Sequence, residues 1–175
     1  DDSESRGLGD VYKRQGSVFV SGLGLKFTQS VIDLSGGVLF ILLCLTAISA
    51  IILGMGMTTT AVYITLAALI VPSLIESGIL PIAAHMFAFY FGVVSTITPP
   101  VALASFAGAA IAKSPPMSTA VESSKVGIAK YIVPFAFVYN PSLLMEGPII
   151  WSLYSLVAVL LAYWLMTLGL SLIHI

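Results

Sequence analysis

Two short clusters carry the residues whose types and spacing could do chemistry. The first is Gly54-Met55-Gly56-Met57-Thr58-Thr59-Thr60, and the second is Ser95-Thr96-Ile97-Thr98-Pro99-Pro100. Gly54 and Gly56 let the backbone leave helical geometry without a side-chain clash. Thr58, Thr59 and Thr60 are of the type that caps a following helix. Ser95, Thr96 and Thr98 repeat the hydroxyls at the second cluster. Thr98 precedes a proline and is pushed out of the helical region, while Pro100 suits the first turn of the next helix, where its missing N–H costs nothing. A helix that stops leaves free carbonyls, and one that starts leaves free N–H groups. Each break can therefore offer oxygens to a cation and a positive dipole end to an anion. Neither cluster holds a charged side chain. A bound carboxylate would be held by helix N-termini, hydroxyls and a co-bound cation.

The elements that must position these clusters are apolar and short. Of the 175 residues, 58% are hydrophobic and 9% charged, with a mean hydropathy of +1.06. This is far from the roughly 25% charged residues of a soluble domain, and it predicts an integral membrane protein. The segments Val38 to Leu53, Ala61 to Val71, Ile79 to Val94 and Val101 to Ala112 contain no Asp, Glu, Lys or Arg. Val38 to Leu53 would make roughly 24 Å of helix at 1.5 Å per residue, short of the ~30 Å hydrocarbon core. We read residues 38–72 as a re-entrant hairpin with its tip at the first cluster. Residues 79–112 read as a spanning helix broken at the second, although patterning alone leaves open which break is hairpin and which is span. Irregular backbone at bilayer depth is tolerated where protein buries it or where it lines a wet cavity, as in the binding centre of a transporter. Either break taken singly reads equally well as a structural kink with hydroxyls bonded to the preceding turn. Two breaks of matching chemistry favour the binding centre.

Residues 113–130 form the most polar stretch and read as an interfacial amphipathic arm. Of Lys26, Lys113, Lys125 and Lys130, three fall there, a positive-inside signal for the cytoplasmic side. Residues 131–168 read as terminal helices, interrupted at Pro134 and Asn140-Pro141. They end in the apolar helix Ile149 to Leu168, with Trp151, Tyr154, Tyr163 and Trp164 near its ends.

The ends are expected to be foreign. Asp10 to Gln15 can be encoded by a sequence whose reverse complement encodes Leu170 to Ile175, so both look like inverted copies of a sequencing-library adapter. Residues 1–15 and 170–175 are then excluded from functional reasoning, and residues 16–169 form the biological segment, an internal fragment of a longer reading frame.

Other chemistries are poorly supplied. A formal net charge of −1 gives no basic surplus to hold nucleic acid, and the lone Cys44 reads as a packed thiol. His85 could relay protons, but a hydrogen-bonded histidine at a helix entrance is the plainer reading. Glu76 and Glu122 read as solvated. No paired acids, metal ligands or nucleophile–base set suggests an enzyme, a metal centre or a cofactor site.

At these residues the chain resembles the large membrane subunit of TRAP transporters, in its fused form associated with TAXI-type binding proteins. The matching stretches are SGLGLKFTQSVIDLSGG, ILGMGMTTTAVYITLAALIVPSLIESGILPIAAHMFAFYFGVVSTITPPVALASFAGAAIA and FAFVYNPSLL. The ITPPVALA string is the most specific. The resemblance implies an all-α polytopic bundle, half of an inverted-repeat elevator transporter. It also implies sodium-coupled import of organic acids across the bacterial inner membrane, with sodium as the coupling ion. The implied partners are a periplasmic TAXI-type binding protein, a small membrane subunit or its fused equivalent, the missing N-terminal half of the permease, and membrane lipid. Carried over by residue, Gly54, Gly56, Thr58, Thr59 and Thr60 match the second hairpin tip, and Ser95, Thr96, Thr98, Pro99 and Pro100 its paired unwound segment. The family often has proline where this chain has Thr58, which puts the cation ligands there in doubt. A fragment of this kind alone is not expected to transport. The competing reading is a channel or structural subunit with kinked helices.

Overall fold

The glycines and prolines divide the chain into short helices. A computed structural model describes residues 23–174 and is helical throughout, without strands among those residues. The expected leader 1–15, the start of the segment from Gly16 and the final Ile175 lie outside the described residues. In chain order the elements are α1 (Leu23–Ser35), α2 (Leu39–Gly54), α3 (Thr59–Leu69), α4 (Val71–Glu76), α5 (Pro81–Val94), α6 (Leu103–Ala112), α7 (Pro116–Val126), α8 (Ala129–Tyr139), a 3-10 turn (Pro141–Leu144) and α9 (Ile149–His174).

Prolines start helices here more often than they end them. Pro72, Pro81 and Pro116 each stand in a first turn, where an N–H would lack an intrahelical acceptor anyway. The apolar segment Ala61 to Val71 is not a single helix. Instead α3 stops at Leu69, and Pro72 opens α4. Likewise Pro100 is not in the first turn of α6, which begins at Leu103 with Ala102 as its N-cap. Pro134 lies buried inside α8.

Helix α5 is the axis around which the others pack, with α2, α3 and α8 against it. Its sequence supplies two kinds of surface. Ala83, Ala84, Ala88 and Gly92 are small and buried, which lets neighbouring backbones come close. At Gly92 a Cβ would lie 2.8 Å from Val62 of α3. Phe87 and Phe91 instead fill space, meeting Phe135 of α8 with ring centroids 5.4 and 5.9 Å away and near-perpendicular planes, a favoured aromatic geometry.

Helices α2 and α3 touch each other and share α5. Leu39 and Leu42 at the start of α2 line one cavity with Glu76 and Ser77 at the end of α4. The start of α2 and the end of α4 therefore sit together, with the turn Met55–Thr58 between α2 and α3. Beyond α6, helix α7 folds back along it, and α8 then runs antiparallel to α5. Asn140 Nδ2 donates to Ser155 Oγ of α9 at 2.8 Å. Helix α9 is only 11% buried over Ile149–Gly169 and has a mean hydropathy of 2.0. Among the described residues it is the one helix long and apolar enough to cross a membrane, whereas α2, α3, α5 and α6 are apolar but shorter.

Phe87 is fully buried, while Leu153 on α9 is 56% exposed. Phe87→Ala should cost about 3–5 kcal/mol, read as a lower melting temperature of the detergent-solubilised protein. Leu153→Ala should change it little. Equal losses would contradict the packing described.

Candidate functional site

The two predicted breaks are both present, and they touch. Helix α2 ends at Gly54, and the chain turns through Gly56 at φ +79 before α3 starts at Thr59. Helix α5 ends at Val94, and the chain stays non-helical until Leu103, with a cis peptide between Pro99 and Pro100. A Cβ placed on Gly54 would stand 2.5 Å from Ser95 Oγ and 2.9 Å from Ser95 Cβ. A Cβ on Gly56 would come within 4.0 Å of Val101. The glycines thus have different duties. Gly54 permits the close approach of the two breaks, and Gly56 supplies a left-handed backbone that other residues adopt at a cost.

At the first break, Thr58 takes the N-cap position of α3, with φ −69 and ψ 151, but its side chain makes no capping bond. This departs from the expected capping role. Thr58, Thr59 and Thr60 are all exposed, and none of their hydroxyls has a hydrogen-bond partner among the described residues. The N–H groups of Thr59 and Thr60 also lack an acceptor there. The tip therefore presents three hydroxyls and the positive end of α3.

The second break is arranged differently. Ser95 Oγ donates to Gly92 O at 2.6 Å, Thr96 Oγ1 to Val93 O at 2.7 Å and Thr98 Oγ1 to Val94 O at 2.7 Å. These hydroxyls cap the carbonyls that end α5, as the kink reading anticipated. The freed acceptors lie one step further on. Continued helix would pair Ser95 O and Thr96 O with the N–H groups four residues ahead, but those positions are Pro99 and Pro100, which have none. Thr96 O is satisfied by Ala104 N–H at 3.0 Å. Ser95 O, Thr98 O, Pro99 O and Pro100 O receive no hydrogen bond among the described residues. Nearby, in the first turn of α6, the buried Ser105 Oγ has no hydrogen-bond partner among the described residues.

Two residues at this break carried no signal in the sequence. Tyr131, at the start of α8, places its hydroxyl 2.7 Å from Thr98 Oγ1. Ser124 Oγ of α7 lies 3.1 Å from Ile97 O and 3.0 Å from Ala120 O of its own helix, and its one hydrogen is shared between the two carbonyls. Gly127 lies so close that a Cβ there would be 2.8 Å from Ile97 Cδ1. A serine on a polar helix and a tyrosine at a helix start are too common for spacing to single them out.

The remaining candidates are peripheral. His85 Nδ1 pairs with Tyr63 Oη at 3.0 Å, joining α5 to α3. Glu122 forms an exposed pair with Lys125 at 2.8 Å, a contact of small worth in water. Among the described residues no group of three or more His, Cys, Asp or Glu side chains could hold a metal ion.

Overpacking at the contact between the breaks should be measurable. Gly54→Ala is expected to destabilise by about 1–3 kcal/mol. Adding Ser95→Gly, which removes the atoms it strikes, should restore part of the loss in melting temperature. Strictly additive losses would mean that these residues do not meet.

Residues 14–168 match the family model described as the DctM component of the tripartite ATP-independent periplasmic transporter. No curated protein and no solved structure shows significant similarity to the chain. The family is one of transporters. Because the match covers most of the sequence and takes in both helix breaks, the chain belongs to the DctM family of TRAP transporter large components.

Proposed function

We propose that this chain supplies one half of the ion- and solute-binding centre of a TRAP permease, importing organic acid anions with sodium as the coupling ion. The observation that carries this reading is the contact of the two breaks, Gly54 on Ser95 and Gly56 beside Val101. It brings together two kinds of unpaired backbone. The carbonyls of Ser95, Thr98, Pro99 and Pro100 suit a small monovalent cation. The N–H groups and hydroxyls at the start of α3 suit a carboxylate. A cation held between them supplies the countercharge that the apolar segments lack.

In this reading residues 38–72 are the re-entrant hairpin and 79–112 the broken span of a polytopic inner-membrane bundle, and α9 crosses the bilayer. The packed unit moves as an elevator, with the inverted repeat contributed by an N-terminal half. A TAXI-type periplasmic binding protein delivers the substrate, and a small membrane subunit or fused equivalent completes the complex. The tripartite character of the family supports partners of this kind. The channel or structural reading accounts for the capped hydroxyls of Ser95 and Thr96. It gives no role to the open carbonyls of Ser95, Thr98, Pro99 and Pro100 beside a helix start without a side-chain cap.

The complete permease, reconstituted in proteoliposomes with its binding protein, should take up radiolabelled carboxylic acids saturably and in proportion to an inward sodium gradient. Thr59→Val should weaken uptake by about two- to tenfold, the worth of one hydrogen bond or ligand, at unchanged membrane abundance. Gly56→Leu should abolish it. Uptake indifferent to sodium would remove the coupling ion from the proposal, and a gradient-independent conductance would establish the channel instead.

A further inference from the structure

We propose that Tyr131 is a positioning residue for the second break, fixing the Thr98 hydroxyl as a lone-pair donor to a monovalent cation; this rests on the binding-centre reading above. The hydrogen-bond directions are determined by valence. Thr98 Oγ1 lies 2.7 Å from Val94 O and 2.7 Å from Tyr131 Oη. A carbonyl oxygen can only accept, so the single Thr98 hydroxyl hydrogen is committed to Val94 O. The Tyr131 hydroxyl must then donate to Thr98. One lone pair on Thr98 Oγ1 remains. It can face a cation but has no hydrogen to offer a carboxylate.

The same side of the break is held at the preceding residue. Ser124 shares its hydroxyl hydrogen between Ile97 O and Ala120 O, and Gly127 closes over the Ile97 side chain. The unwound segment is therefore gripped from both sides, by the hairpin glycines at Ser95 and Val101 and by α7 and α8 at Ile97 and Thr98. Pro99 and Pro100 follow directly, and their carbonyls depend on Thr98 for their position. Without Tyr131, Thr98 keeps its bond to Val94 but loses the tether that orients its free lone pair.

The test uses the complete permease with its binding protein. Tyr131→Phe should raise the sodium concentration for half-maximal uptake by about two- to tenfold. The KM for the carboxylate and the maximal rate at saturating sodium should stay within about twofold, as follows if one hydrogen bond's worth acts on the cation alone. Ser124→Ala should shift sodium dependence in the same direction and by less. Thr98→Ser should preserve the wild-type value, and Tyr131→Phe should add nothing on a Thr98→Val background. Amide exchange without sodium gives an independent reading of the tether: the Ile97 and Ala104 N–H groups, bonded to Val94 O and Thr96 O, should exchange faster in Tyr131→Phe. Unchanged half-saturation, or an additive effect with Thr98→Val, overturns the proposal even where uptake follows sodium. Faster exchange in a permease whose wild-type uptake ignores sodium would instead sink the coupling reading, and with it the cation role of Thr98, while leaving the tether standing.

Discussion

A helix interrupted inside an apolar protein leaves peptide groups that must find partners or be left open for a ligand, and this requirement organises the structure around Ser95 to Val101. An unpaired buried peptide group costs on the order of 1–3 kcal/mol. The fold answers most of that cost locally. Three hydroxyls cap the end of α5, Ala104 reaches back to Thr96, and Ser124 divides its hydrogen between Ile97 O and Ala120 O. Pro99 and Pro100 cannot donate to the carbonyls four residues behind them, which leaves Ser95 O open while Ala104 serves Thr96 O. Thr98 O, Pro99 O and Pro100 O stay open because the chain does not return to helix before Leu103.

The two breaks divide the work between side chain and backbone. At the hairpin tip the hydroxyls of Thr58, Thr59 and Thr60 are exposed and uncommitted. At the unwound segment the hydroxyls are used internally and the carbonyls face outward from the hydrogen-bond network. Matching composition therefore produced different chemistry. The difference lies in the preceding turn: Ser95, Thr96 and Thr98 follow directly on helical carbonyls within reach, whereas Gly56 redirects the chain before the threonines arrive.

Aromatic packing holds the arrangement on one side, and close helix approach holds it on the other. Phe87, Phe91 and Phe135 fix α5 against α8, so Tyr131 has a defined height relative to Thr98. The α2–α3 pair meets α5 through close approach at Gly54 and Gly92, and through the Tyr63–His85 hydrogen bond and the Tyr63–Phe89 edge contact.

The positions of the breaks, the helical class and the apolar character were legible in the sequence, because Gly, Thr and Pro act on the backbone within a few residues and charge-free runs have few other uses. The terminal helix from Ile149 was equally plain. Short-range logic also misled: Pro72 and Pro100 could each be placed by local preference, yet the observed helix starts are at Val71 and Leu103. Which hydroxyls are free, and that Gly54 rather than Gly56 makes the close contact, depended on how α2 lies against α5. Tyr131 and Ser124 reached the site only through the return of α7 along α6. Backbone permissiveness is a property of residues and their neighbours, but the pairing of a particular oxygen depends on segments distant in the chain, and only the tertiary fold determines it.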